Sequence, residues 1–148
     1  MGWDWNLISQ VASVVGVVGG LFSLMFLVFN VRRNARAIEG ATVQSLMNFE
    51  KDVFAMIASD APLFLKGCET PQKLSPADRL KFERIVATQM SLFYSAFAQH
   101  GEGLIDDEVW EAYANALRNY MKPPGYRDVW AKIKTHYPKS FGAMIAGL

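Results

Sequence analysis

The apolar positions along this chain keep two different rhythms. From Leu7 to Val31 they form a run without a single charged residue. Beyond Asn34 they recur every three or four residues, the period of one helix face. Leu46, Phe49, Val53 and Met56 form such a stripe, and Val43, Met47, Phe54 and Ile57 widen it. A stripe of that width predicts a helix packed within its own domain. Ser59-Asp-Ala-Pro62 is expected to break this helix, followed by a short apolar turn at Leu63–Leu65 and a loop from Gly67 to Leu74. Ser75-Pro-Ala-Asp78 then reads as a helix start, with a capping hydroxyl, a proline in the first position and a carboxylate at the positive end of the dipole. Phe82, Val86, Met90, Phe93 and Phe97 carry that helix to His100-Gly101. Asp106 is the next expected cap, ahead of a stripe at Trp110, Tyr113, Leu117 and Tyr120. Pro123-Pro-Gly125 separates it from a helix bearing Tyr126, Trp130, Ile133 and Tyr137, and Phe141, Met144 and Ile145 suggest a short last one. No stretch alternates as a strand does. The predicted fold is all-α: one membrane-spanning helix continuing into a bundle of about four or five helices.

Charge sharpens the division between the two rhythms. All 15 Lys and Arg residues, and every acid except Asp4, fall after Val31. The expected organisation is therefore an N-terminal tail and anchor over residues 1–31 and a helical domain over 32–148. As a helix, Leu7–Val31 is about 37 Å long, enough to span a bilayer core of about 30 Å. An acidic start and this length favour an uncleaved anchor over a signal peptide. Met1-Gly2 resembles a myristoylation start, but Asn6 stands where Ser or Thr is needed. Arg32, Arg33 and Arg36 follow the apolar run directly, which sets the C-terminal domain on the cytoplasmic side and the N-terminus outside. Trp3 and Trp5 suit the outer headgroup level. The expected location is the inner membrane of a bacterium, crossed once, with membrane lipid as one partner.

Within the apolar run, Ser9, Ser13, Gly16, Gly20 and Ser23 are spaced 4, 3, 4 and 3, and a further heptad reaches Asn30. In lipid, helices associate through close packing and interhelical hydrogen bonds, both of which small residues permit. The heptad spacing predicts a left-handed helix–helix contact, with a second copy or with another subunit of a larger membrane complex.

Chemistry is sparse by comparison. The single Cys68 has no disulfide or ligand-spaced partner, and burial is its expected role. His100 and His136 sit at expected helix ends, where positive charge is favourable. The acids Glu102, Asp106, Asp107, Glu108 and Glu111 fit no calcium-loop register and read as charges at a helix N-terminus. Gly101-Glu-Gly103 lacks the strand, spacing and lysine of a phosphate loop. The apolar run holds no His for a haem, leaving Met25 as a weak ligand. Basic residues are scattered, which argues against nucleic acid. No metal, cofactor or catalytic residue is expected. Trp110, Tyr113 and Trp130 are expected in the core.

The segments "VRRNARAIEGATVQSL", "LSPADRLKFERIV", "SAFAQHGEGLIDDEVWEAYANALR" and "PPGYRDVW", following an apolar helix, resemble a group of uncharacterised small bacterial membrane proteins with one N-terminal anchor and a helical cytoplasmic domain. The resemblance implies that architecture and a bacterial source, and carries over no functional residue. The resulting expectation is a non-enzymatic interaction or accessory protein that associates through its membrane seam and docks a partner with its helical domain. Two alternatives stand beside it. One is a tethered sensor holding an apolar ligand between aromatic-rich helices, in a pocket lined by residues such as Trp110, Phe93 or Trp130. The other is a homo-oligomeric pore with Ser9, Ser13, Ser23 and Asn30 along a polar path.

Overall fold

The computed structural model describes the backbone of residues 5–148 and the side chains of residues 22–148. Among the described residues the chain is all-helical, with six α-helices and no strand: α1 (Trp5–Ser59), α2 (Ala61–Glu69), α3 (Pro76–Gly101), α4 (Asp107–Tyr120), α5 (Pro124–Ile133) and α6 (Lys139–Ala146). Short 3-10 turns at Pro71–Lys73 and Lys134–His136 join α2 to α3 and α5 to α6. The chain divides into two units, Met1–Gly40 and Ala41–Leu148. In the first, side chains from Phe22 to Phe29 and from Val31 to Gly40 are exposed. Among the described residues no helix is long and apolar enough to cross a membrane. Most of the expected span, Leu7–Val31, has its side chains outside the described residues.

The second unit is built around α3. Its start is fixed as its composition dictates: the Ser75 hydroxyl accepts a hydrogen bond from the Asp78 backbone N–H (3.1 Å) and donates one to the Asp78 carboxylate (2.8 Å). α3 buries two faces at once. Phe82, Val86, Met90 and Phe93 join the larger core with Leu63 and Phe64 of α2, Tyr126, Val129 and Trp130 of α5, and Phe141 of α6. Leu92 and Ala96 join a smaller core with Leu46 and Val53 of α1 and with Ile105. A helix with so wide an apolar arc meets more than one neighbour. The later part of α1 and the α2–α5–α6 group accordingly pack on neighbouring faces of it.

α3 ends where the glycines were expected to end it. Gly103 takes a left-handed φ of 68° and its N–H donates to the His100 carbonyl (2.9 Å). Asp106 then caps α4 by accepting from the Val109 N–H at 2.8 Å.

The loop expected from Gly67 is instead helix as far as Glu69. The reason lies in a crossing invisible to local pattern. Gly67 and Gly125 meet where α2 passes α5. A Cβ on Gly125 would lie 1.9 Å from the Gly67 carbonyl oxygen, and one on Gly67 would lie 2.4 Å from the Phe82 ring. Both glycines serve close approach, which overrides their modest helix penalty. Pro124 and Gly125, read in the sequence as a stop, are accordingly the first two residues of α5.

Candidate functional site

One face of the second unit is left incomplete. α1 and α4 lie beside each other over α3 and leave a groove of about 390 Å³ between them. Its α1 wall is Val43, Met47, Glu50 and Phe54, its α4 wall is Val109, Tyr113, Ala116 and Tyr120, and Gln89, Leu92 and Phe93 of α3 form the floor. The α1 residues follow helical spacing, so they share one face. That face is the flank of the wide stripe read from the sequence as wholly internal. Leu46 and Val53 are indeed buried, but Met47 and Phe54 are 56% and 49% exposed. Met56 is exposed as well. The stripe is thus split between a core-facing seam and an apolar wall open to solvent.

Two polar features interrupt this lining. The Tyr113 hydroxyl donates to the Glu50 carboxylate across the groove at 3.3 Å. Burial, then the charge and hydrogen bond of Glu50, push the Tyr113 phenol up to about 12, so it stays protonated and keeps donating. The Tyr113 ring is held edge-on against Phe93 of the floor. Gln89 is the second feature. It is 2% exposed, and its Oε1 is buried without a hydrogen-bond partner. An unpaired amide oxygen out of water is costly, on the order of 1–3 kcal/mol.

The residues singled out in the sequence are placed elsewhere. Trp3 and the side chains of Trp5, Ser9, Ser13, Gly16 and Gly20 lie outside the described residues. Ser23 is exposed, and Asn30 turns its amide back to donate to the Phe26 carbonyl at 2.9 Å. Arg32, Arg33 and Arg36 are exposed and, with Phe29, line a shallow depression. In the second unit, His100 is held by Asp107 at 2.9 Å and stacks on Trp110 at a centroid distance of 5.4 Å. His136 is exposed in a 3-10 turn. Of the acids, Asp106 is the cap and Glu102, Glu108 and Glu111 face solvent. Trp130 is in the larger core, whereas Trp110 and Tyr113 are half-buried at the edge of the smaller one. Cys68 is buried, and burial first, then Glu69, push its thiol up to about 11, away from the reactive thiolate. Among the described residues no group of three or more His, Cys, Asp or Glu side chains is placed to hold a metal ion.

Of the pocket residues expected from the sequence, Phe93 lines this groove and Trp110 and Trp130 do not; Tyr113, expected in the core, Glu50 and Gln89 were not foreseen there. A signal for Glu50 and Gln89 existed. Glu50 falls between Leu46 and Val53, and Gln89 between Ile85 and Leu92, each a polar residue at a core-facing helical position. The arrangement offers apolar contact beside one carboxylate, which is equipment for binding. Comparison with known proteins finds no match to a family model, a curated protein or a solved structure.

Proposed function

We propose that this protein is a membrane-anchored, non-enzymatic interaction or accessory protein, in which Leu7–Val31 crosses a bacterial inner membrane once and the helical domain works from the cytoplasmic side. The 25-residue uncharged run and the basic collar of Arg32, Arg33 and Arg36 directly after it support the anchor and its orientation. The heptad of Ser9, Ser13, Gly16, Gly20, Ser23 and Asn30 supports association with a second copy or another membrane subunit. The observation that carries binding as the mode of action is the open apolar groove between α1 and α4. Its volume falls within the range of small-molecule sites, roughly 300–1,000 Å³. This groove favours a second reading of the same domain, a tethered ligand-binding sensor, over a pore.

Two measurements test the proposal. The full chain is expected to stay in the membrane pellet through an alkaline carbonate wash, and release into the supernatant contradicts the anchor. In mild detergent it is expected to run as an oligomer or with a partner, and Gly16→Leu together with Gly20→Leu is expected to dissociate it. A strictly monomeric chain unaffected by those changes removes the seam.

A further inference from the structure

We infer that one face of α1, formed by the apolar track from Leu24 to Phe29 and the guanidinium groups of Arg32, Arg33 and Arg36, holds an anionic phospholipid, with an acyl chain on the track and the phosphate among the arginines. This rests on the reading of Leu7–Val31 as a membrane anchor and adds which lipid lies against it.

The arginines share a face by their spacing. Phe29, Arg32, Arg33 and Arg36 fall at i, i+3, i+4 and i+7, and together they line one depression. All three arginines are exposed, and among the described residues none is in an ion pair. Glu39, the one acid on α1 ahead of Glu50, lies about a turn beyond Arg36 and pairs with none of them. Cations with no acid among them suit an anion, and planar guanidinium groups match the oxygens of a phosphate in pairs.

The apolar half is continuous with the charged one. Leu24, Met25, Val28 and Phe29 line a second depression that ends on Arg32, so Phe29 and Arg32 belong to both. An arginine stem covers apolar surface while its head stays polar, which lets Arg32 join the two halves. From Leu24 to Arg32 the track rises about 12 Å, most of the roughly 15 Å of hydrocarbon in one leaflet. That length fits a lipid chain and exceeds what a free phosphate would use.

Register favours lipid over a second copy. Met25 and Arg32 stand two residues beyond Ser23 and Asn30, about 160° round a helix of 3.6 residues per turn. Association through the seam that includes Ser23 and Asn30 therefore leaves this face turned outward. Headgroup charge follows from the arginines. A choline head brings a cation beside its phosphate, which the guanidinium groups repel, whereas a glycerol head brings none.

The test uses the full chain in nanodiscs of equal phosphatidylglycerol and phosphatidylcholine, released into mild detergent. Lipids still bound are counted by native mass spectrometry. Phosphatidylglycerol is expected to be retained over phosphatidylcholine by about tenfold or more, since one arginine near an anionic surface contributes about fivefold. Arg32→Gln with Arg36→Gln is expected to bring that ratio within about twofold of unity. Lys73→Gln with Lys139→Gln removes equal charge from exposed positions of the second unit and is expected to leave the ratio unchanged. Equal retention of the two lipids overturns the inference. So does a ratio indifferent to the arginine changes, a ratio that falls as far with the lysine changes, or displacement of the lipid by excess inorganic phosphate. A chain that never enters the nanodisc contradicts the anchor and removes the inference with it. A chain that enters and retains both lipids equally contradicts the inference alone.

Discussion

At the scale of single residues, Gln89 is a local cost to the fold. Its unpaired oxygen weakens the fold, so Gln89→Leu is expected to stabilise the domain by about 1 kcal/mol. In a domain of this size that raises Tm by roughly 4 °C, measurable by calorimetry. A residue retained for packing alone would show the opposite sign. The titrating residues give a second prediction. The fold holds the Cys68 thiol and the Tyr113 phenol neutral, raising them from 9.0 to about 11 and from 10.0 to about 12. Tyr126, buried with its hydroxyl unpartnered, is raised as well. In the unfolded chain these groups lose their protons first, so above the unfolded value the native state holds more protons and stability falls with pH. The contribution of Cys68 is intact below about pH 9 and is lost as pH rises toward 11. That of Tyr113 is lost between about pH 10 and 12. Denaturant melts across pH 8–12 should show this alkaline limb, and Cys68→Ala should flatten its early part.

At the scale of elements, the helix starts were legible because capping is local chemistry. Ser75 and Asp106 announce themselves by type and position, and both hydrogen bonds form. Ser75→Ala and Asp106→Ala are each expected to cost about 1 kcal/mol, read as a lower midpoint in urea. α2 was only half legible. Glycine in a nine-residue segment reads as a break, and only the pass of α5 across Gly67 explains why the helix tolerates it. That pass yields the sharpest stability prediction. Gly125→Ala drives a methyl against the Gly67 carbonyl, a backbone atom that cannot swing aside. The expected cost is about 3 kcal/mol or more, a Tm drop on the order of 10 °C. A near-neutral Gly125→Ala would mean that α2 and α5 do not cross there.

At the scale of the whole molecule, two kinds of apolar surface reach the outside. One is the described end of the uncharged run, exposed from Phe22 to Phe29. The other is the groove, which periodicity concealed. Helical spacing marks which residues share a face but not whether a neighbour covers it. Met47 and Phe54 therefore looked like core until the structure left them half open. Glu50 and Gln89 interrupted the pattern in a way that only the assembled helices made meaningful. In the proposed function the run is a membrane anchor and the groove belongs to a binding domain on the cytoplasmic side.

The measurement that tests this most directly is cysteine accessibility in intact bacterial cells. In a Cys68→Ala background, single cysteines are placed at Gly2 and at the exposed Thr135. A membrane-impermeant maleimide is predicted to label Gly2→Cys in intact cells and Thr135→Cys only after lysis. Labelling of Thr135→Cys in intact cells, or protection of both sites until lysis, contradicts it.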